Sequence, residues 1–96
     1  MKDLNFVGSS RENIRVFPEE VKDNLGYALR QAQNGEKPSS AKPLKGFGGA
    51  SVLEIIENFR KDTYRAVYTV SFKDAVYVRT VFKRSQNMAL KLRSKI

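Results

Sequence analysis

The stretch VLEIIENFRKDTYRAVYTVSFKDAVYVRTVF, residues 52–82, decides the fold. It is dominated by Val, Ile, Tyr, Phe and Thr, which favour a pleated, half-buried surface. Two polar interruptions break it, Arg60-Lys61-Asp62 and Lys73-Asp74, so it reads as three strands over 52–59, 63–72 and 75–82. Turns this short can only join antiparallel neighbours, which makes the segment a meander. Alternation along the strands favours core or cross-strand packing for Tyr64, Tyr68, Phe72 and Tyr77 over a role as base-stacking platforms.

Upstream, LNFV at residues 4–7 is a short opening strand ended by Gly8. Ser9-Ser10-Arg11-Glu12 has the spacing of a capping box, with the Ser9 hydroxyl accepting from the amide three residues on and Glu12 reaching back, and it predicts a short helix to about Val16. Pro18 suits the first turn of a second helix, where Glu19, Glu20 and Asp23 favour the positive end of the helix dipole. Val21, Leu25, Ala28, Leu29 and Ala32 form one apolar stripe, and Asn34-Gly35 is the stop. The two helices are expected to form a hairpin. Residues 35–50 contain four glycines and two prolines and read as a loop with no regular element, cationic through Lys37, Lys42 and Lys45. Beyond Ser85, Met88, Leu92 and Ile96 fall four apart, which predicts a short basic helix or tail over 85–96. The fold class is therefore α+β: an N-terminal strand and a two-helix hairpin packed on an antiparallel sheet meander, in one domain over 1–96.

Charge narrows the function. The last acidic residue is Asp74, and the residues after it carry Arg79, Lys83, Arg84, Lys91, Arg93 and Lys95 out of a net charge of +8. A cationic surface of this kind suits a polyanion such as nucleic acid, which it binds with release of counterions. With 41% hydrophobic residues the chain is globular in composition, and no apolar run approaches the roughly 20 residues of a membrane span. The opening residues also lack the apolar core of a signal peptide, so a reducing cytoplasm is expected. Cysteine and histidine are both absent, which removes disulfides and the usual ligands of a transition metal. Without histidine, acid–base chemistry falls to Lys, Tyr, Glu, Asp or water.

Three segments, in this order and spacing, resemble the RelE and HigB-like toxins of bacterial toxin–antitoxin pairs, particularly the phage-derived HigB-like branch. They are LNFVGSSRE at 4–12, KPLKGFGG with VLEI at 42–49 and 52–55, and TYRAVY at 63–68. The resemblance covers roughly residues 4–84 and implies a RelE/ParE-like fold. It further implies a ribosome-dependent endoribonuclease that cuts mRNA in the decoding site, needs no metal or organic cofactor, and is silenced by a helix-turn-helix antitoxin. RNA cleavage through the neighbouring 2′-hydroxyl needs a base, cations for the charge on the phosphorane, and help for the departing 5′-oxygen. Carried over residue by residue, Arg65 falls on the arginine of the central-strand motif and grips phosphate through its permanent charge. Lys83 and Arg84, directly after Phe82, take the transition-state and leaving-group contacts. Lys42 and Lys45 lie in the loop that holds the RNA backbone or supplies an acid–base group, and like-charge repulsion from Arg65 and Arg84 is the route by which such a lysine acts as a base. Arg60, Lys61 and Arg79 complete the expected RNA contacts. Where some relatives place lysines on the second strand this chain has Glu54 and Ile56, which makes Glu54 the alternative base, and no tyrosine or histidine follows Phe82.

Plainer readings stand beside these. Arg65 can simply pair with Glu54 or Glu57 across the strands, and Glu54 can be an ordinary surface charge. The loop glycines do not form a nucleotide-binding fingerprint, because no strand leads into Gly46 and no helix follows it. Two further function classes remain: a toxin of the same fold that blocks a protein target such as DNA gyrase, as the ParE branch does, and an inactive basic RNA-binding module.

Overall fold

The computed structural model describes residues 1–44, 52–71 and 75–85. Its elements in chain order are β1 (Asp3–Phe6), α1 (Ser10–Arg15), α2 (Glu19–Gln33), β2 (Ala41–Pro43), β3 (Val52–Phe59), β4 (Asp62–Val70) and β5 (Ala75–Ser85). They build one five-stranded sheet in the order β1-β5-β4-β3-β2. The meander β3-β4-β5 is antiparallel as its short turns require. β1 adds to its far edge in parallel with β5, so the sheet is mixed. Backbone and side-chain bonds between Lys2 and Gln33 fasten the start of β1 to the end of α2.

Both helices cover one face. The stripe Val21, Leu25, Ala28, Leu29 and Ala32 is buried throughout and packs on Leu53, Ile55, Tyr64, Ala66, Tyr68, Val76, Val78 and Val81. Phe17, between the helices, meets the Tyr64 ring edge-on with centroids 4.7 Å apart. α1 is pinned to β5 by the Ser10 hydroxyl, which donates to the Val78 carbonyl at 3.1 Å. Burial in this core raises the Tyr68 hydroxyl to about 12, because the phenolate would lose its hydration.

Three local expectations are corrected. Ser9 makes no side-chain cap to α1; its Oγ instead accepts from Asn13 Nδ2 at 3.4 Å, and Gly8 before it takes a left-handed φ of 59°. The loop over 35–50 contains a regular element after all, since β2 pairs antiparallel with β3. Bonds from Leu44 N to Val52 O and from Ile56 N to Ser40 O bracket this pairing, leaving Pro43 where its missing N–H faces the open edge. β5 runs to Ser85, three residues past the expected end, because Asp62 at the start of β4 pairs with Ser85. Gly46, Gly48 and Gly49 of the loop, Lys45, the Lys73-Asp74 turn, Phe72 and the tail from residue 86 lie outside the described residues.

Candidate nucleic-acid interface

The opposite face of the sheet carries no helix among the described residues, and cross-strand register fixes what it displays. Residues directly paired in a sheet share a face. Lys42 is opposite Glu54, Glu54 opposite Val67, and Val67 opposite Thr80. One row along lie Ile56, Arg65 and Phe82, and the next row holds Asn58, Thr63 and Arg84. Lys42, Glu54, Arg65 and Arg84 therefore form a diagonal band across four strands of one face.

At the centre of the band, Arg65 Nη1 donates to Glu54 Oε1 at 2.9 Å. Glu54 is the more enclosed partner, with a side chain 6% exposed against 27% for Arg65. It is thus a buried carboxylate rather than an ordinary surface charge. Glu57, the other candidate partner, faces the helices and accepts from Asn24 Nδ2 at 3.0 Å. The remaining guanidinium edge is not satisfied: Arg65 Nε is buried and finds no acceptor among the described residues. Such a donor costs about 1–3 kcal/mol when left unmade. Lys42, Pro43, Leu44 and Glu54 line an adjoining pocket of about 340 Å³.

The structure separates two residues expected to act together. Arg84 shares the face of Arg65, but Lys83 pairs in register with Tyr64 on the helix side, and its Nζ lies 3.9 Å from Asp62 Oδ2. Consecutive strand residues point to opposite faces, so both cannot reach one phosphate. Arg60 and Lys61 occupy the tight turn between β3 and β4, at the Arg84 end of the sheet, with Arg60 at a φ of 57° and its guanidinium 5.2 Å from the Phe59 ring centre. At the other end, register slips by one residue between Val67 and Tyr68, leaving Arg79 as the extra residue of a β-bulge. Arg79 and Thr80 are consequently both exposed. The sequence carried a sign of this: two adjacent polar residues between Val78 and Val81 break the two-residue period.

This arrangement of two helices on one face of a mixed five-stranded sheet matches the RelE fold. The isolated E. coli RelE toxin superposes with a TM-score of 0.65 at 20% identity, over all of both chains. The toxin–antitoxin complex E. coli RelBE contains a chain matching with a TM-score of 0.62 at 22% identity, over 84% of this chain and 94% of that one. Residues 12–94 match the family described as Phage derived protein Gp49-like (DUF891). The chain belongs to this Gp49-like family, of the RelE/HigB toxin type. No curated protein sequence matches it. Among the described residues no cluster of carboxylates could hold a metal ion, and no helix is long and apolar enough to cross a membrane.

Proposed function

We propose that the protein is the toxin of a toxin–antitoxin pair and acts as a ribosome-dependent endoribonuclease on mRNA in the cytoplasm. The observation that carries this reading is the Arg65–Glu54 pair, with its unpaired Arg65 Nε, on the uncovered face. A phosphate that accepts from the exposed part of the Arg65 guanidinium sits next to the Glu54 carboxylate. Glu54 then takes the proton of the 2′-hydroxyl while O2′ attacks phosphorus, forming the O2′–P bond and breaking P–O5′. Arg65 and Arg84 stabilise the charge that grows on the phosphorane and on the departing 5′-oxygen, which takes its proton from water. The products are a 2′,3′-cyclic phosphate and a 5′-hydroxyl. Lys42, opposite Glu54, holds the RNA backbone beside it.

Induced expression without an antitoxin is expected to arrest growth, and primer extension on translated mRNA to show new 5′ ends inside coding sequence. Arg65→Ala removes a charge-assisted contact of about 1.5–3 kcal/mol, so the cutting rate falls roughly tenfold to a hundredfold. Growth arrest with intact transcripts and inhibited gyrase would replace this reading with the gyrase-blocking one. A toxin also requires restraint in its own cell, and we assign that to a helix-turn-helix antitoxin that presents acidic groups to the cationic face. Co-expression with the neighbouring reading frame and a tagged pull-down test for it.

A further inference from the structure

The bulge at Arg79 places a second constellation on the open face, away from the Arg65–Glu54 pair. Tyr77 is opposite Thr69 in register. The Arg79 guanidinium lies over the Tyr77 ring, 5.5 Å from its centre, and its Nε donates to the Thr69 hydroxyl at 3.3 Å. Arg79 is thus held on two sides by an aromatic ring and a hydroxyl while remaining exposed. A planar cation fixed in this way, with an open outer surface, offers a stacking platform to a flat π-system. A strand needing only to be soluble has no use for a bulge here, whereas bulges recur where a side chain must be re-aimed.

We propose that Tyr77, Arg79 and Thr69 form a nucleobase subsite that stacks one unpaired base of a single-stranded RNA whose phosphate is held at Arg65. The inference rests on the RNA-cleaving reading above and adds a determinant of where along the strand the protein binds. Thr69 is four residues from Arg65 along β4, about 13 Å at the rise of a strand. That separation corresponds to at most about four nucleotides, at 3.4 Å each for a stacked strand. The base therefore belongs to the same short segment of RNA as the phosphate. Stacking is sequence-tolerant but favours the larger purine ring, so the subsite prefers a purine at this offset.

The test uses the full chain and a short oligoadenylate that just spans the face, with copies each bearing one abasic nucleotide at a successive position. Fluorescence anisotropy is expected to show wild-type affinity falling about 5- to 150-fold at the position that occupies the subsite. Arg79→Lys keeps the charge and loses the planar surface. It should lose a comparable factor on intact RNA and become indifferent to the abasic position. Tyr77→Phe should keep the discrimination and Tyr77→Ser lose it, with thermal melting confirming that each variant is folded. Arg65→Ala should weaken every oligonucleotide alike and leave the abasic profile in place. A wild-type protein indifferent to abasic positions, or an Arg79→Lys variant that binds intact RNA as wild type does, overturns the subsite while the Arg65 reading stands. In that case Arg79 and Tyr77 are only a surface pair along β5. Failure of the wild-type protein to bind any of these RNAs overturns the subsite, while the cleavage reading falls only if primer extension on translated mRNA also shows no new 5′ ends.

Discussion

Replacing Glu54 by glutamine separates the ion pair seen in the structure from the role of base proposed above. The side chain is 6% exposed and lies 2.9 Å from Arg65, whose own side chain is 27% exposed. Breaking a fully buried ion pair costs about 3–5 kcal/mol. Because Arg65 keeps part of its surface in water and glutamine still offers an amide oxygen, the cost here falls to about 1–2 kcal/mol. For a 96-residue chain that is a fall in Tm of about 5–15 °C, measurable by calorimetry or urea unfolding. The chemical effect is far larger. Losing the base slows cleavage by about two to four orders of magnitude, while removing a negative charge from a cationic face leaves RNA affinity unchanged or higher. The expected signature of Glu54→Gln is therefore a folded, RNA-binding protein that does not cut, read out by primer extension alongside anisotropy. Glu57→Gln, on the helix side, is the control and should cut normally. A folded Glu54→Gln protein that cuts at the wild-type rate refutes Glu54 as the base, and an unchanged Tm refutes the energetic importance of the pair.

Arg84→Gln should reduce the slope of log affinity against log salt by about 0.7, the loss of one phosphate contact on a single strand, whereas Lys83→Gln on the helix side should leave the slope as it is. Tyr68 links stability to alkaline pH. The unfolded hydroxyl ionises near 10.0 and the folded one at about 12, so between those values the unfolded state binds fewer protons and stability falls as pH rises. The loss reaches about 2–3 kcal/mol, and urea unfolding should show it in the wild type and not in Tyr68→Phe. At the β3–β4 turn, where Arg60 has a φ of 57°, Arg60→Gly should be more stable than Arg60→Ala by about 1 kcal/mol, the reverse of the ordinary order. Equal melting temperatures for these two variants would mean that the turn carries no strain.

Local sequence determined the elements whose pattern is self-contained. The spacing from Val21 to Ala32 fixed the buried stripe of α2, because a helix of 3.6 residues per turn puts those positions on one side whatever it packs against. The β-branched and aromatic runs with polar turns fixed β3, β4 and β5 as an antiparallel meander, since turns so short allow nothing else. The absence of histidine and cysteine narrowed the chemistry before any geometry was known. What depended on distant parts of the chain was decided only by tertiary structure. β2 has three residues, one of them Pro43, all inside the stretch that reads as a loop, so its strand identity comes from the edge of β3 and not from its own propensity. The parallel pairing of β1 with β5 joins segments about seventy residues apart, a contact that no local pattern encodes. The sequence placed Lys83 and Arg84 together after the last strand; only the extension of β5 to Ser85, with its register against Tyr64 and Thr63, put them on opposite faces and turned Arg84 to the open side. Register likewise chose Glu54 over Glu57 as the partner of Arg65, because cross-strand neighbours are set by how two strands slide past each other, and that position is fixed by the core packed on the other face.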